Sequence, residues 1–72
     1  MGAKQLRKGS KVKILCYPFI DCEGKIIEKE YPNATVGLSF VSKQAERDVA
    51  QQGAECKIGL KVTCSLKNLS AI

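Results

Sequence analysis

From Cys56 to Leu66 every second residue is apolar: Cys56, Ile58, Leu60, Val62, Cys64 and Leu66, with Lys57, Lys61 and Thr63 among the residues between them. A period of two sends alternate side chains to opposite faces of an extended strand, so this stretch demands a core on one side and water on the other. The same pattern recurs in shorter form. "KVKILC" sets Val12, Ile14 and Cys16 against Lys11, Lys13 and Leu15, and "ATVGLSFV" sets Ala34, Val36, Leu38 and Phe40 against Thr35, Gly37 and Ser39. "KIIEKEY" differs, because Ile26 shares parity with Glu28 and Glu30 while Ile27 shares it with Lys29 and Tyr31. Adjacent isoleucines on opposite faces predict a strongly bent strand that serves both sides of a curled sheet.

Turn chemistry separates these runs. Pro18 ends the first strand, since proline cannot donate to a ladder. "YPFIDCEG" then makes a corner, with Asp21 and Gly24 as turn formers and Phe19 as an anchor into the core. "YPNA" is a tight turn between the second and third strands. Residues 42–54, "SKQAERDVAQQGA", break the alternation: Ser42 caps a short helix, Ala45 and Val49 share one face, and Gly53 stops it. "KNLSAI" is a one-turn bend leading to a short closing strand. With 72 residues there is room for one core. The expected fold is all-β: a small SH3-like barrel of about five strands with a short helical insert between strands 3 and 4. Closing the sheet on itself removes its exposed edges. Residues 1–9 are expected to be a flexible basic N-terminal arm and residues 10–72 the barrel.

The charge is placed on one side of the chain. Lys4, Arg7, Lys8, Lys11 and Lys13 put five cations and no anion into the first thirteen residues, and the rest of the chain sums to zero, giving the net charge of +5. Such a field attracts a phosphate backbone, an anionic surface or an acidic protein face; otherwise it serves solubility. No apolar run approaches the roughly 18–20 residues that cross a bilayer. The N-terminus lacks the apolar region of a secretory signal, and Leu6 stands where a myristoylation motif requires Ser or Thr. The sequons at Asn33 and Asn68 matter only in a secreted chain. A cytoplasmic protein without a membrane partner is expected.

Catalysis is poorly provided for. The chain has no histidine, which removes the commonest general base and the usual activator of Ser and Cys nucleophiles. The carboxylate pairs Asp21/Glu23 and Glu28/Glu30 read as solvated strand or turn positions, and the six glycines are scattered singly rather than gathered in a phosphate loop. Cys16, Cys22, Cys56 and Cys64 show no C-x-x-C spacing, so a zinc site would require all four to converge in space. Buried free thiols are the expectation. No enzyme activity, metal or cofactor is expected.

"GSKVKILCYPFIDCEGKIIE" resembles the KOW motif of the C-terminal domain of NusG-type transcription elongation factors and of several ribosomal proteins. Gly9, Val12, Ile14, Pro18, Phe19, Gly24 and Ile26 stand at the motif's positions, while Tyr17 and Asp21 replace the glycines flanking its corner. "TVGLSF" and "LKVTCSLKNL" fit that family's third and fourth strands; residues 42–57 are a longer connection than it usually has. The opening "RKGSKVKIL" is also similar to the start of the small SH3-like barrel protein of photosystem I, a family that docks on proteins. The KOW resemblance implies a module that binds RNA or a ribonucleoprotein or transcription complex.

The residues expected to bind are therefore Lys4, Arg7, Lys8, Lys11, Lys13 and Lys25, with Tyr17 and Phe19 in the adjoining loop. Lysines hold phosphates without reading sequence, and a ring can stack on an unpaired base. Phe19 has the competing role of filling the barrel end. The alternative expectation is a protein adaptor that meets an acidic partner through the barrel loops, a strand edge, or the helical insert with Arg47, Asp48, Gln51 and Gln52.

Overall fold

The structure is a computed structural model that describes residues 6–72. Its elements follow the order β1 (Lys11–Ile14), β2 (Glu23–Glu30), β3 (Asn33–Phe40), α1 (Lys43–Gln51), β4 (Lys61–Ser65), a single 3₁₀ turn (Leu66–Asn68) and β5 (Leu69–Ala71). All neighbours are antiparallel, in the sheet order β4-β3-β2-β1-β5. Strands β4 and β5 are thus the two edges of one sheet, yet only the three residues of the 3₁₀ turn join them. Laid flat, edges four strand spacings apart would stand about 19 Å from each other. The four peptide steps from Ser65 to Leu69 reach at most ~14 Å when fully extended. The sheet must therefore curl until its edges approach. This is the small all-β barrel expected from the sequence, with its helical insert between β3 and β4.

The interior is filled by alternate residues of the strands. Val12, Ile14, Ile26 and Val36 are wholly enclosed, joined by Cys22, Ala34, Leu38, Val62, Cys64 and Leu69, with Ala45 and Val49 contributed by the helix. Each enclosed Val or Ile side chain contributes roughly 1.5–3 kcal/mol by leaving water. Strand β2 serves both halves of the barrel. Its first residues pair with β1 while its whole length pairs with β3. The register on β3 shifts between Ile26 and Glu28, so Ile27 is the extra residue of a bulge, and it lies at the surface while Ile26 is buried. That bulge is the bend expected from the adjacent isoleucines.

The helix follows its sequence closely. The Ser42 hydroxyl accepts a hydrogen bond from the Ala45 backbone N–H at 3.1 Å and donates one to the Ile20 carbonyl at 2.6 Å, so one side chain caps the helix and ties it to the first loop. At the other end the Gly53 N–H donates to Ala50 O and the Ala54 N–H to Val49 O, the paired bonds of a Schellman ending, with Gly53 at φ 79°. Just beyond, the Gln52 side-chain amide donates to the Tyr17 hydroxyl at 3.1 Å. Both ends of α1 are therefore anchored on the loop between β1 and β2, and the helix covers that end of the barrel.

Three boundaries differ from the sequence reading. Strand β1 ends at Ile14 rather than running to Cys16, because the Leu15 N–H turns to the Asn68 carbonyl of the 3₁₀ turn. Phe40, expected inside, is half exposed: a register shift makes Ser39 an extra residue, and Phe40 comes to lie opposite Glu23 on the outer face. The alternation from Cys56 does not begin a strand. A turn closes from Lys57 to Leu60, with Gly59 at φ 97° donating to Leu38 O, and Ile58 is left at the surface while Cys56 stays buried.

Gly24 marks the tightest approach in the barrel. A Cβ there would collide with the Gly37 carbonyl oxygen and stand 2.8 Å from Val36 Cγ1. At Gly37 the nearest atom to such a Cβ is Ile27 Cγ2 at 3.5 Å, an ordinary contact. Gly24→Ala is accordingly expected to destabilise the fold by about 1–3 kcal/mol or more. Gly37→Ala should stay within about 1 kcal/mol of the parent. Urea unfolding of the two variants checks the contrast, and equal midpoints would contradict it.

Candidate functional site

The outer face of the sheet carries a row of residues set by strand register. Lys11 on β1 lies opposite Lys25 on β2, Lys25 opposite Gly37 on β3, and Gly37 opposite Lys61 on β4. Their parity follows from the core: Val12, Ile26, Val36 and Val62 point inward, so the residues beside them along each strand point out, and all three lysines are exposed. Adjacent strands stand about 4.8 Å apart, so Lys25 and Lys61 are separated by roughly 10 Å of backbone with a side-chain-free position between them. Ile27 leans over Gly37 and partly covers that gap. The Thr35 and Thr63 hydroxyls, 3.3 Å apart, form the next row towards the hairpin tip.

Within this row Lys11 and Lys25 stand directly opposite each other. Like charges directly opposite each other on neighbouring strands destabilise a sheet. Among the described residues the ion pairs are Lys13–Asp21 at 3.8 Å and Lys57–Glu55 at 4.0 Å, and neither involves Lys11, Lys25 or Lys61. Glu28 is the nearest carboxylate position along β2 on one side and Glu23 on the other, each outside the row. Three cations across four strands, none in an ion pair among the described residues, are suited to an anion with several charges.

The structure divides the residues expected to bind. Lys11 and Lys25 come together, and Lys61, which the sequence reading passed over, joins them. Its membership depends on pairing of strands distant in the chain, for which the only signal was its outward parity in "LKVTC". Arg7 and Lys8 are exposed on a turn held by the Arg7 N–H to the Ser10 hydroxyl at 3.0 Å and by the Ser10 N–H to Arg7 O. Gly9 N–H to Ile26 O places that turn beside β2, next to the row. Leu6 packs on the core and its carbonyl accepts from the Lys29 ammonium at 2.8 Å. Lys4 lies outside the described residues.

Lys13 is drawn away: it pairs with Asp21 and stands opposite Glu23, so its charge is locally offset. The loop aromatics part company. Phe19 is half-buried against the core, whereas Tyr17 is 57% exposed with only its hydroxyl engaged, by Gln52. Tyr17 lies beyond the far end of β1 from Lys11, about 13 Å or more along the strand.

The four cysteines are free and fall into two separate pairs rather than one cluster. The Cys16 and Cys64 sulfurs stand 3.8 Å apart. Burial, and then the neighbouring Cys16 thiol, pushes the Cys64 thiol up to about 12. Burial, and then Cys22 and more weakly Glu46, pushes the Cys56 thiol up to about 11. Among the described residues no group of three or more Cys, Asp or Glu side chains converges to hold a metal ion, and no helix is long and apolar enough to cross a membrane.

The raised thiols have a consequence for stability. In the unfolded chain these thiols lose their protons near the ordinary value of 9.0, while in the fold Cys56 and Cys64 retain them to about 11 and 12. The folded state binds more protons in that window, so stability is full below pH 9.0 and falls as pH rises towards the folded values. Thiolate ultraviolet absorbance against pH, native and in urea, checks this. A delayed rise in the native protein is expected, and identical curves would contradict it.

No protein-family model, curated protein or solved structure matches this chain, so its function rests on the chemistry of its own surface.

Proposed function

We propose that the chain is a non-enzymatic module that docks on RNA, or on a ribonucleoprotein or transcription complex, through the outer face of its barrel. The observation that carries this reading is the Lys11–Lys25–Gly37–Lys61 row, aligned by register across four strands and free of acidic partners among the described residues. Arg7 and Lys8 extend it along β2. In this reading the ammonium groups hold phosphates, which relieves their mutual repulsion and releases condensed counterions. Tyr17, at the other end of β1, offers a ring face to an unpaired base from the same strand.

The resemblance to KOW domains supports the same reading. Asp21 stands where that motif has the second glycine of its corner, and its backbone takes φ 70°, a left-handed conformation that Asp tolerates better than most residues. Gly9, at the motif's first glycine, has φ 92°. Phe19 packs on the core, as suits a corner that closes the barrel end.

A salt titration of binding to single-stranded RNA, duplex DNA and heparin tests the proposal. RNA is expected to bind most tightly, with the logarithm of affinity falling against the logarithm of salt by about 0.7 per phosphate neutralised. Lys25→Glu and Lys61→Glu should each weaken binding and flatten that slope, Lys13→Glu should have the smaller effect, and Tyr17→Ala should cost about 1–3 kcal/mol on single strands alone. Equal weak binding to all three polyanions, unchanged by Lys61→Glu, would overturn the reading in favour of an acidic protein partner.

A further inference from the structure

The sulfurs of Cys16 and Cys64 meet although the two residues lie 48 positions apart in sequence. Cys16 opens the loop after β1, and Cys64 lies on β4. Two strands stand between β1 and β4 in the sheet, so no ladder joins them, and the two cysteines approach only because the barrel is closed. The pair is asymmetric. Cys16 is half-buried, within reach of a small reagent, while Cys64 is 6% exposed and lies directly behind it. At 3.8 Å the sulfurs are in van der Waals contact, and a disulfide would bring them to ~2.05 Å. A structural core position needs only an apolar filler; two thiols in contact, one of them only half-buried, provide both an attacking and a resolving sulfur.

We propose that Cys16 and Cys64 form a dithiol–disulfide site that exchanges with low-molecular-weight disulfides of the glutathione type. The Cys16 thiol gives up its proton and the thiolate attacks one sulfur of the oxidant. A mixed disulfide forms on Cys16, the oxidant's S–S bond breaks, and one thiolate leaves. Cys64 then loses its proton and attacks the Cys16 sulfur. The protein disulfide forms, the mixed disulfide breaks, and the second thiolate leaves. The two protons released by the cysteines pass to the two departing thiolates, and the two electrons the pair gives up reduce the oxidant. The product ties the start of the Tyr17 loop to β4 across the part of the barrel that has no ladder of its own. Cys22 is wholly enclosed and Cys56 is 7% exposed, so the other pair is shielded from the same reagent. None of this depends on what the lysine row binds.

The test is incubation of the full folded chain in defined mixtures of reduced and oxidised glutathione, followed by acid quench, alkylation and peptide mapping by mass spectrometry. The expected product is a monomer lighter by two hydrogens, with Cys16 joined to Cys64 and with Cys22 and Cys56 alkylated once unfolded. Its thermal midpoint should rise on the order of 10 °C or more, and thiol reductant should reverse the rise. Cys64→Ala should accumulate a glutathione adduct on Cys16. Mapping of the unsubstituted protein decides the matter even if that variant folds poorly. A Cys16 that stays free or stops at a stable adduct, a bond between other cysteines, or a link between chains would each overturn the proposal.

Discussion

The short connection between β4 and β5 governs this structure. Three residues bridge the two edges of a five-stranded sheet, and they can do so only if the sheet rolls up. Several other features follow from that closure. The strands must bend, so β2 carries a bulge at Ile27 and β3 another at Ser39. The interior must narrow, so Gly24 lies against the Gly37 carbonyl, where a side chain has no room. The open end must be covered, and α1 does this with Ala45 and Val49 inward and both of its ends bonded to the first loop.

Register and closure together create the chemistry of the surface and of the core. On the outer face the ladder register along β1, β2, β3 and β4 aligns Lys11, Lys25 and Lys61, none of them in an ion pair among the described residues. The cost of opposed like charges is small for each pair, a few tenths of a kcal/mol to about 1 kcal/mol, but it has no structural purpose. In the proposed reading, an anion bound across the row would turn it into a favourable term. In the interior closure sets Cys16 of the first loop against Cys64 of β4. The two features lie on different faces of the barrel wall and differ in chemistry, one a row of cations and the other a pair of thiols.

Sequence signals are decisive in this chain wherever local forces set the structure. The helix from Lys43 to Gln51 has its serine cap, its buried Ala45 and Val49, and its glycine ending, each set by neighbours within a few residues. The strand faces of β1, β4 and most of β3 follow period-two alternation, since an extended chain has no other way to divide apolar from polar side chains. The alternation fails at Phe40 and Ile58. At both places the backbone departs from the extended form for reasons that lie in pairing with a distant strand: the extra residue at Ser39 opposite β2, and the turn at Gly59 that meets Leu38.

The candidate site was half legible. Basic character, outward parity and the corner with Tyr17 and Phe19 could all be seen in the chain, and so could a core role for Phe19. Which lysines act together could not, because register between strands far apart in sequence decides it. That register brought in Lys61, while the fold of the first loop gave Asp21 to Lys13. The sequence by itself determined most of the elements, the faces of most strand residues, the helix and its caps, and a cationic surface. Only the tertiary structure decided which cations stand side by side and which thiols touch, since the first depends on register between distant strands and the second on the sheet closing.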